Sequence, residues 1–190
     1  MLLYLIRHPR PFAASGTCYG REDLEVDPEA VAAAADSIRA QIPRHDLREA
    51  GIFTSPLSRC LALARELAGP REPMIAEELL EMNFGCWEGR RWEALPRDEL
   101  DAWARDVWGY RPGGGESAAM VARRWQQWSR ELQSVGRQTA IAVTHAGFIR
   151  VALACNGRWS AAALANQSVA FGSVHRLHLD ESRVPACAAQ

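Results

Sequence analysis

His8, His145, Arg7, Arg59 and Ser55 are the residues of this 190-residue chain whose types and placement point to chemistry. His8, Ser55 and His145 each lie just past a short apolar run of strand length: Leu2 to Ile6, Gly51 to Thr54 and Thr139 to Val143. In open α/β sheets ligands gather beyond the carboxyl ends of the strands, so residues far apart in sequence can share one cleft there. Arg59 falls in the first turn of the helix expected after Ser55, where a guanidinium and the positive end of a helix can face the same anion. Arginine suits phosphate because its planar fork bonds two oxygens at once, and all 22 basic side chains of the chain are arginines. The absence of lysine excludes a Walker A phosphate loop and Schiff-base chemistry.

Each of these residues has an ordinary structural alternative. A histidine at a strand end is more often a satisfied polar group, and Arg59 or Glu81 alone more often belongs to a surface ion pair. Their joint placement is what favours a site.

The elements that must position them can be read from pattern and punctuation. Two prolines, Pro9 and Pro11, prevent a helix from following the first strand directly. Asp27-Pro28 has the form of an N-cap and first helical position for an alanine-rich helix ending near Ile42, before Pro43. Ser55-Pro56 repeats that signal for a helix from Leu57 to Ala68, stopped by Gly69-Pro70. A weak strand is expected near Met74 to Ala76, a helical stretch around Glu93 to Trp108, and a plain loop at Gly113 to Gly115. Val121, Trp125, Trp128 and Leu132 recur at helical spacing along one buried face after Ser117. A helix to about Cys155, stopped by Gly157, and a last alternating strand from Ser173 to Leu179 complete the series. Strands interleaved with helices argue for an α/β fold, a three-layer sandwich around a largely parallel central sheet. The length fits one domain, residues 1–180, with 181–190 as a loose tail.

With 22 basic and 23 acidic residues the formal net charge is −1, which offers no global field for nucleic acid or an anionic membrane. Cys18, Cys60, Cys86, Cys155 and Cys187 are odd in number and widely spaced, so neither a zinc site nor a disulfide framework is signalled, and a cytoplasmic location is expected. No run approaches membrane-spanning length. His175 and His178 project to opposite faces of a strand and cannot readily share a metal ion. Six of the seven tryptophans fall between Trp87 and Trp128, and most are expected in the core. No Gly-x-Ser-x-Gly elbow or His-Glu-x-x-His motif is present.

Four blocks follow in order: Leu5-Ile6-Arg7-His8, Thr54-Ser55-Pro56-Leu57-Ser58-Arg59, Glu81 through Gly89, and Val143-Thr144-His145-Ala146-Gly147. Together they resemble the histidine phosphatase superfamily, with its phosphoglycerate-mutase-like fold, over roughly residues 2–180. The resemblance implies that neutral His8 attacks phosphorus, that Arg7, Arg59 and His145 hold the phosphoryl oxygens, and that Glu81 protonates the leaving oxygen. It implies no metal and no cofactor. The stretch His8-Pro9-Arg10-Pro11, followed by Gly16 to Asp23, looks like the α-ribazole-phosphate phosphatases of cobalamin biosynthesis, and places substrate contacts at Tyr19, Gly20 and Arg21.

The chain departs from the common family pattern where Pro9, Pro11 and Ala14 replace a glycine, a threonine and an asparagine. Arg10 is the expected replacement phosphate donor. The expected partner is a small phosphorylated metabolite, and a homodimer is compatible with the sequence. The rival readings are a broad sugar-phosphate phosphatase, a phosphoglycerate mutase, and a member that binds phosphorylated ligands without turnover.

Overall fold

The structure is a computed structural model that describes residues 1–157, 164 and 167–179. Strand β1 (Leu2–Arg7) is followed by helices α1 (Pro28–Gln41) and α2 (Arg44–Glu49), strand β2 (Gly51–Thr54), helix α3 (Ser58–Ala68) and strand β3 (Met74–Ile75). Helices α4 (Arg97–Arg105) and α5 (Ala118–Ser134), strand β4 (Thr139–Thr144), helix α6 (Ala146–Cys155) and strand β5 (Val174–His178) complete the chain.

The sheet order is β3-β2-β4-β1-β5. All neighbours run parallel except the β1–β5 pair. Alternation along β1 and β4 builds two cores. Leu3, Leu5, Ala140 and Ala142 face α5 and α6, while Tyr4, Ile6, Ile141 and Val143 face α1 and α3. The result is the expected three-layer α/β sandwich, with Val121, Trp125, Trp128 and Leu132 all buried on the inner side of α5.

Local signals account for most element ends. Asp27 caps α1 by accepting from the Glu29 N–H at 2.9 Å, and Gly69 ends α3 with φ 62°. Helix α3 differs from expectation at its start. It begins at Ser58, and its cap comes from Asp23, whose carboxylate accepts from Ser58 N at 2.7 Å and Ser58 Oγ at 2.8 Å. Ser55 and Pro56 precede the helix, because Ser55 is buried at the sheet edge for other use.

The expected helical stretch from Glu93 to Trp108 is shorter and split into a 3-10 turn, Trp92–Ala94, and α4. Gly113 to Gly115 are more than a plain loop. A Cβ on Gly113 would lie 2.2 Å from the Phe84 carbonyl oxygen, and one on Gly115 2.1 Å from that of Asn83. Glycine is therefore demanded by close backbone packing, and at Gly113 also by φ of 56°. Trp87, Trp125 and Trp128 are buried; Trp92 and Trp103 are half-buried and stack on each other at 6.0 Å. Trp159 and the expected tail, 181–190, lie outside the described residues. Cys18, Cys60 and Cys86 are free, and Cys187 lies outside the described residues. Among the described residues no helix is long and apolar enough to cross a membrane.

Candidate active site

Strands β1, β2 and β4 end together, in a register that pairs Arg7 with Thr144 and Thr54 with Val143. The chain beyond each strand is tied to the same edge. His8 N donates to the Thr144 carbonyl at 3.1 Å, and Ser55 N to that of Val143 at 3.0 Å. The rings of His8 and His145 meet edge to face with centroids 5.1 Å apart, and His145 Nε2 lies 2.8 Å from Ser55 Oγ. Both histidines are almost fully buried.

His8 Nδ1 lies 2.6 Å from the Pro9 carbonyl oxygen. A carbonyl only accepts, so Nδ1 carries the proton and Nε2 of the neutral ring keeps its lone pair. Burial, then the Arg59 and Arg7 charges, hold His8 well below its ordinary pKa. Burial, then His8 and Arg59, do the same to His145. Both rings are therefore neutral near pH 7.

Arg59 is fully buried in the first turn of α3. Its two terminal nitrogens donate to the carbonyls of Gly20 at 2.6 Å and Glu22 at 2.7 Å. Tyr19 lies over its guanidinium at 5.5 Å. The Nη1 of Arg7 donates to the Val169 carbonyl at 2.5 Å. Among the described residues each arginine leaves a buried Nε–H with no hydrogen-bond partner, an unmet donor of the kind an oxyanion satisfies. Arg10 is exposed, and its guanidinium shares the Phe171 ring with that of Arg7, at 4.7 and 3.6 Å from the centroid.

Glu81 sits on the N-terminus of α6. Its Oε2 accepts from Gly147 N at 3.0 Å, and its Oε1 from Phe148 N at 3.1 Å and Met82 N at 2.9 Å. These backbone donors, at the positive end of a helix, orient the carboxylate. Behind it, Arg124 makes a two-point pair with Glu116, 3.1 Å at each contact. The same arginine donates to the Glu78 and Leu80 carbonyls. Arg21, expected at the substrate, has its guanidinium on Glu116 at 3.1 Å.

Sequence reasoning missed several supports. Glu88 gathers the backbone N–H groups of Arg21, Glu22 and Phe84 on one carboxylate, thereby fixing the loop that holds Arg59. The signal was its place inside the Glu81–Gly89 block. Asp23 lies in the Gly16–Asp23 stretch but caps a helix 35 residues onward, which no local pattern announces. Phe171 had no sequence signal at all.

The chain matches the family model described as histidine phosphatase superfamily (branch 1) over residues 3–187. The bifunctional protein Rv2228c of Mycobacterium tuberculosis is 35% identical over 140 residues, covering 69% of this chain and 35% of its own length. The chain thus spans about a third of the length of the curated relatives it matches. Among solved structures, a protein of Thermus thermophilus, TTHB049, is 29% identical, with a TM-score of 0.72 and 93% of each chain covered. The phosphoserine phosphatase of Entamoeba histolytica superposes with a TM-score of 0.79 at 22% identity, covering 95% of this chain and 91% of that one. The α-ribazole phosphatase of Shigella flexneri does so at 0.77 and 23%, covering 95% and 92%. These last two establish likeness of fold. From residue 3 to residue 187, then, the chain belongs to the histidine phosphatase superfamily.

Proposed function

We propose that the protein hydrolyses a small phosphomonoester through a phosphohistidine formed on His8. The observation that carries this reading is the buried, neutral His8 ring, with Nδ1 anchored on Pro9 and Nε2 free to attack, set among the charges of Arg7 and Arg59.

Attack by His8 Nε2 on phosphorus forms an N–P bond and breaks the bond from phosphorus to the ester oxygen, which leaves as an alcohol on taking a proton from the Glu81 carboxyl. Arg7 and Arg59 stabilise the negative oxygens through guanidinium groups that backbone carbonyls already hold in place, so little reorganisation is needed. His145, neutral in the free protein and within hydrogen-bond distance of Ser55, takes up a proton as a phosphate dianion arrives and donates a hydrogen bond to it. Arg10, which shares the Phe171 ring with Arg7, is the residue to which we assign a further oxygen contact in place of those Pro11 and Ala14 cannot make. In the second half-reaction the Glu81 carboxylate draws a proton from water. That water attacks phosphorus, releases inorganic phosphate and restores His8.

For substrate, α-ribazole 5′-phosphate is our first choice, on the resemblance of the His8–Asp23 stretch and the fold shared with the Shigella flexneri enzyme. Tyr19 and Gly20 lie against Arg59 in that stretch. We place the reaction in the cytoplasm, where such metabolites turn over.

Phosphate release measured in EDTA from α-ribazole 5′-phosphate, 3-phosphoglycerate, sugar phosphates and an aryl phosphate tests the reading. The expected result is turnover by the wild type and none by His8→Ala. Equal turnover by His8→Ala would falsify it.

A further inference from the structure

A cavity of about 250 Å³ opens beside Glu81, walled by Met82, Phe84, Trp103, Val107 and Val151. Two backbone contacts join it to the proposed proton donor: Met82 N donates to Glu81 Oε1 at 2.9 Å and Gly147 N to Oε2 at 3.0 Å, and both residues line the cavity. The ring of Phe84 packs edge to face on that of Trp103 at 6.0 Å, and Trp103 stacks on Trp92 at 6.0 Å, so the aromatic wall is already in place. Arg150 supplies the single charge among the described lining residues. It is steadied by donation from its Nε to the Gln167 carbonyl at 2.8 Å.

We infer that this cavity seats the leaving group, and that the alcohol released carries a flat apolar body of one or two rings, with a polar acceptor or π-face toward Arg150. The inference rests on the reading of Glu81 as donor to the leaving oxygen, because that role puts the departing group where Met82 and Gly147 begin the cavity. An apolar cavity of roughly 150 Å³ is enough to hold benzene, so this one takes a ring with room for a second. A polyhydroxy leaving group would instead set hydroxyls against Met82, Phe84, Val107 and Val151 without partners. Arg150 is suited to either a ring face or an acceptor at its edge.

The test compares kcat/KM for 2-naphthyl phosphate and 3-phosphoglycerate in the wild type, in Ala104→Trp and in Val107→Phe. Ala104 is exposed on α4 yet lines the cavity, so a tryptophan there fills the mouth without entering the core. The expected result is a preference of the wild type for the naphthyl ester of roughly tenfold or more, lost in both variants through a raised KM for that ester. Hydrolysis that depends on His8 but shows no preference for the naphthyl ester, or a preference that both variants keep, overturns the cavity assignment and leaves the phosphatase reading standing. Failure of the wild type to hydrolyse either ester defeats the reading itself, and this inference with it.

Discussion

The carboxylate of Glu81 and the backbone of Gly147 are in such close contact that a Cβ on Gly147 would lie 2.4 Å from Glu81 Oε1. Gly147 has no left-handed φ and sits in the first turn of α6, so its glycine serves the approach of Glu81 and not the backbone. Gly147→Ala therefore sets two effects against each other. Alanine favours the helix by about 1 kcal/mol, while the methyl pushes aside the flexible end of Glu81. The expected outcome is a thermal midpoint close to wild type with kcat lowered about tenfold or more, equivalent to about 1.4 kcal/mol in the barrier. Steady-state kinetics beside a melting curve check it, and a stable variant with unchanged kcat counts against Glu81 as the proton donor.

Protonation of the two histidines sets the response to acid. Folding lowers the pKa of His8 and His145 below the unfolded value of 6.5. Their contribution is thus fully present above pH 6.5. It is lost as pH falls from there toward the folded values, because the unfolded chain binds protons that the native one refuses. The expected slope is about 1.4 kcal/mol per pH unit for each histidine. Urea midpoints between pH 7.5 and 5.5 should fall more steeply for the wild type than for His145→Asn. By the same sign, kcat/KM should show no loss from His8 protonation as pH drops through 6.5.

Asp23 couples the loop before α1 to the helix that carries Arg59, through its contacts to Ser58. Asp23→Ala removes that cap and should cost about 1 kcal/mol. It should also weaken inhibition by inorganic phosphate, because the carbonyls of Gly20 and Glu22 that hold Arg59 lie in the same loop. Calorimetry and phosphate inhibition read the two effects separately.

Arg124→Met tests the support behind Glu81. It would leave Glu116 without its two-point partner and the Leu80 carbonyl without its donor. The expected loss is about 3 kcal/mol of stability, with activity reduced further than in Glu116→Gln, which keeps the carbonyl contacts. Equal effects of the two variants would mean that the ion pair alone matters.

What the sequence makes legible follows from how local each cause is. The α1 cap at Asp27, the buried stripe on α5 and the three strand ends bearing His8, Ser55 and His145 are written within a few neighbouring residues, and the structure has them where expected. The cap of α3 is supplied from 35 residues away, so Ser55-Pro56 is a false start there. Gly113 and Gly115 look like loop glycines until residues 83–87 are packed against them. Phe171 becomes meaningful only when Arg7 and Arg10 are folded onto its ring. Helix α2, six residues after Pro43, is too short for its periodicity to be read.

The central claim is that His8 Nε2 becomes covalently phosphorylated. Rapid acid-free quenching of the wild type with a phosphorus-labelled aryl phosphate, followed by peptide mapping, tests it most directly. The account predicts one acid-labile, base-stable phosphoryl group on the peptide containing His8, formed as fast as the alcohol is released and absent from His8→Ala. Turnover with no such label, or the same label persisting in His8→Ala, would contradict it.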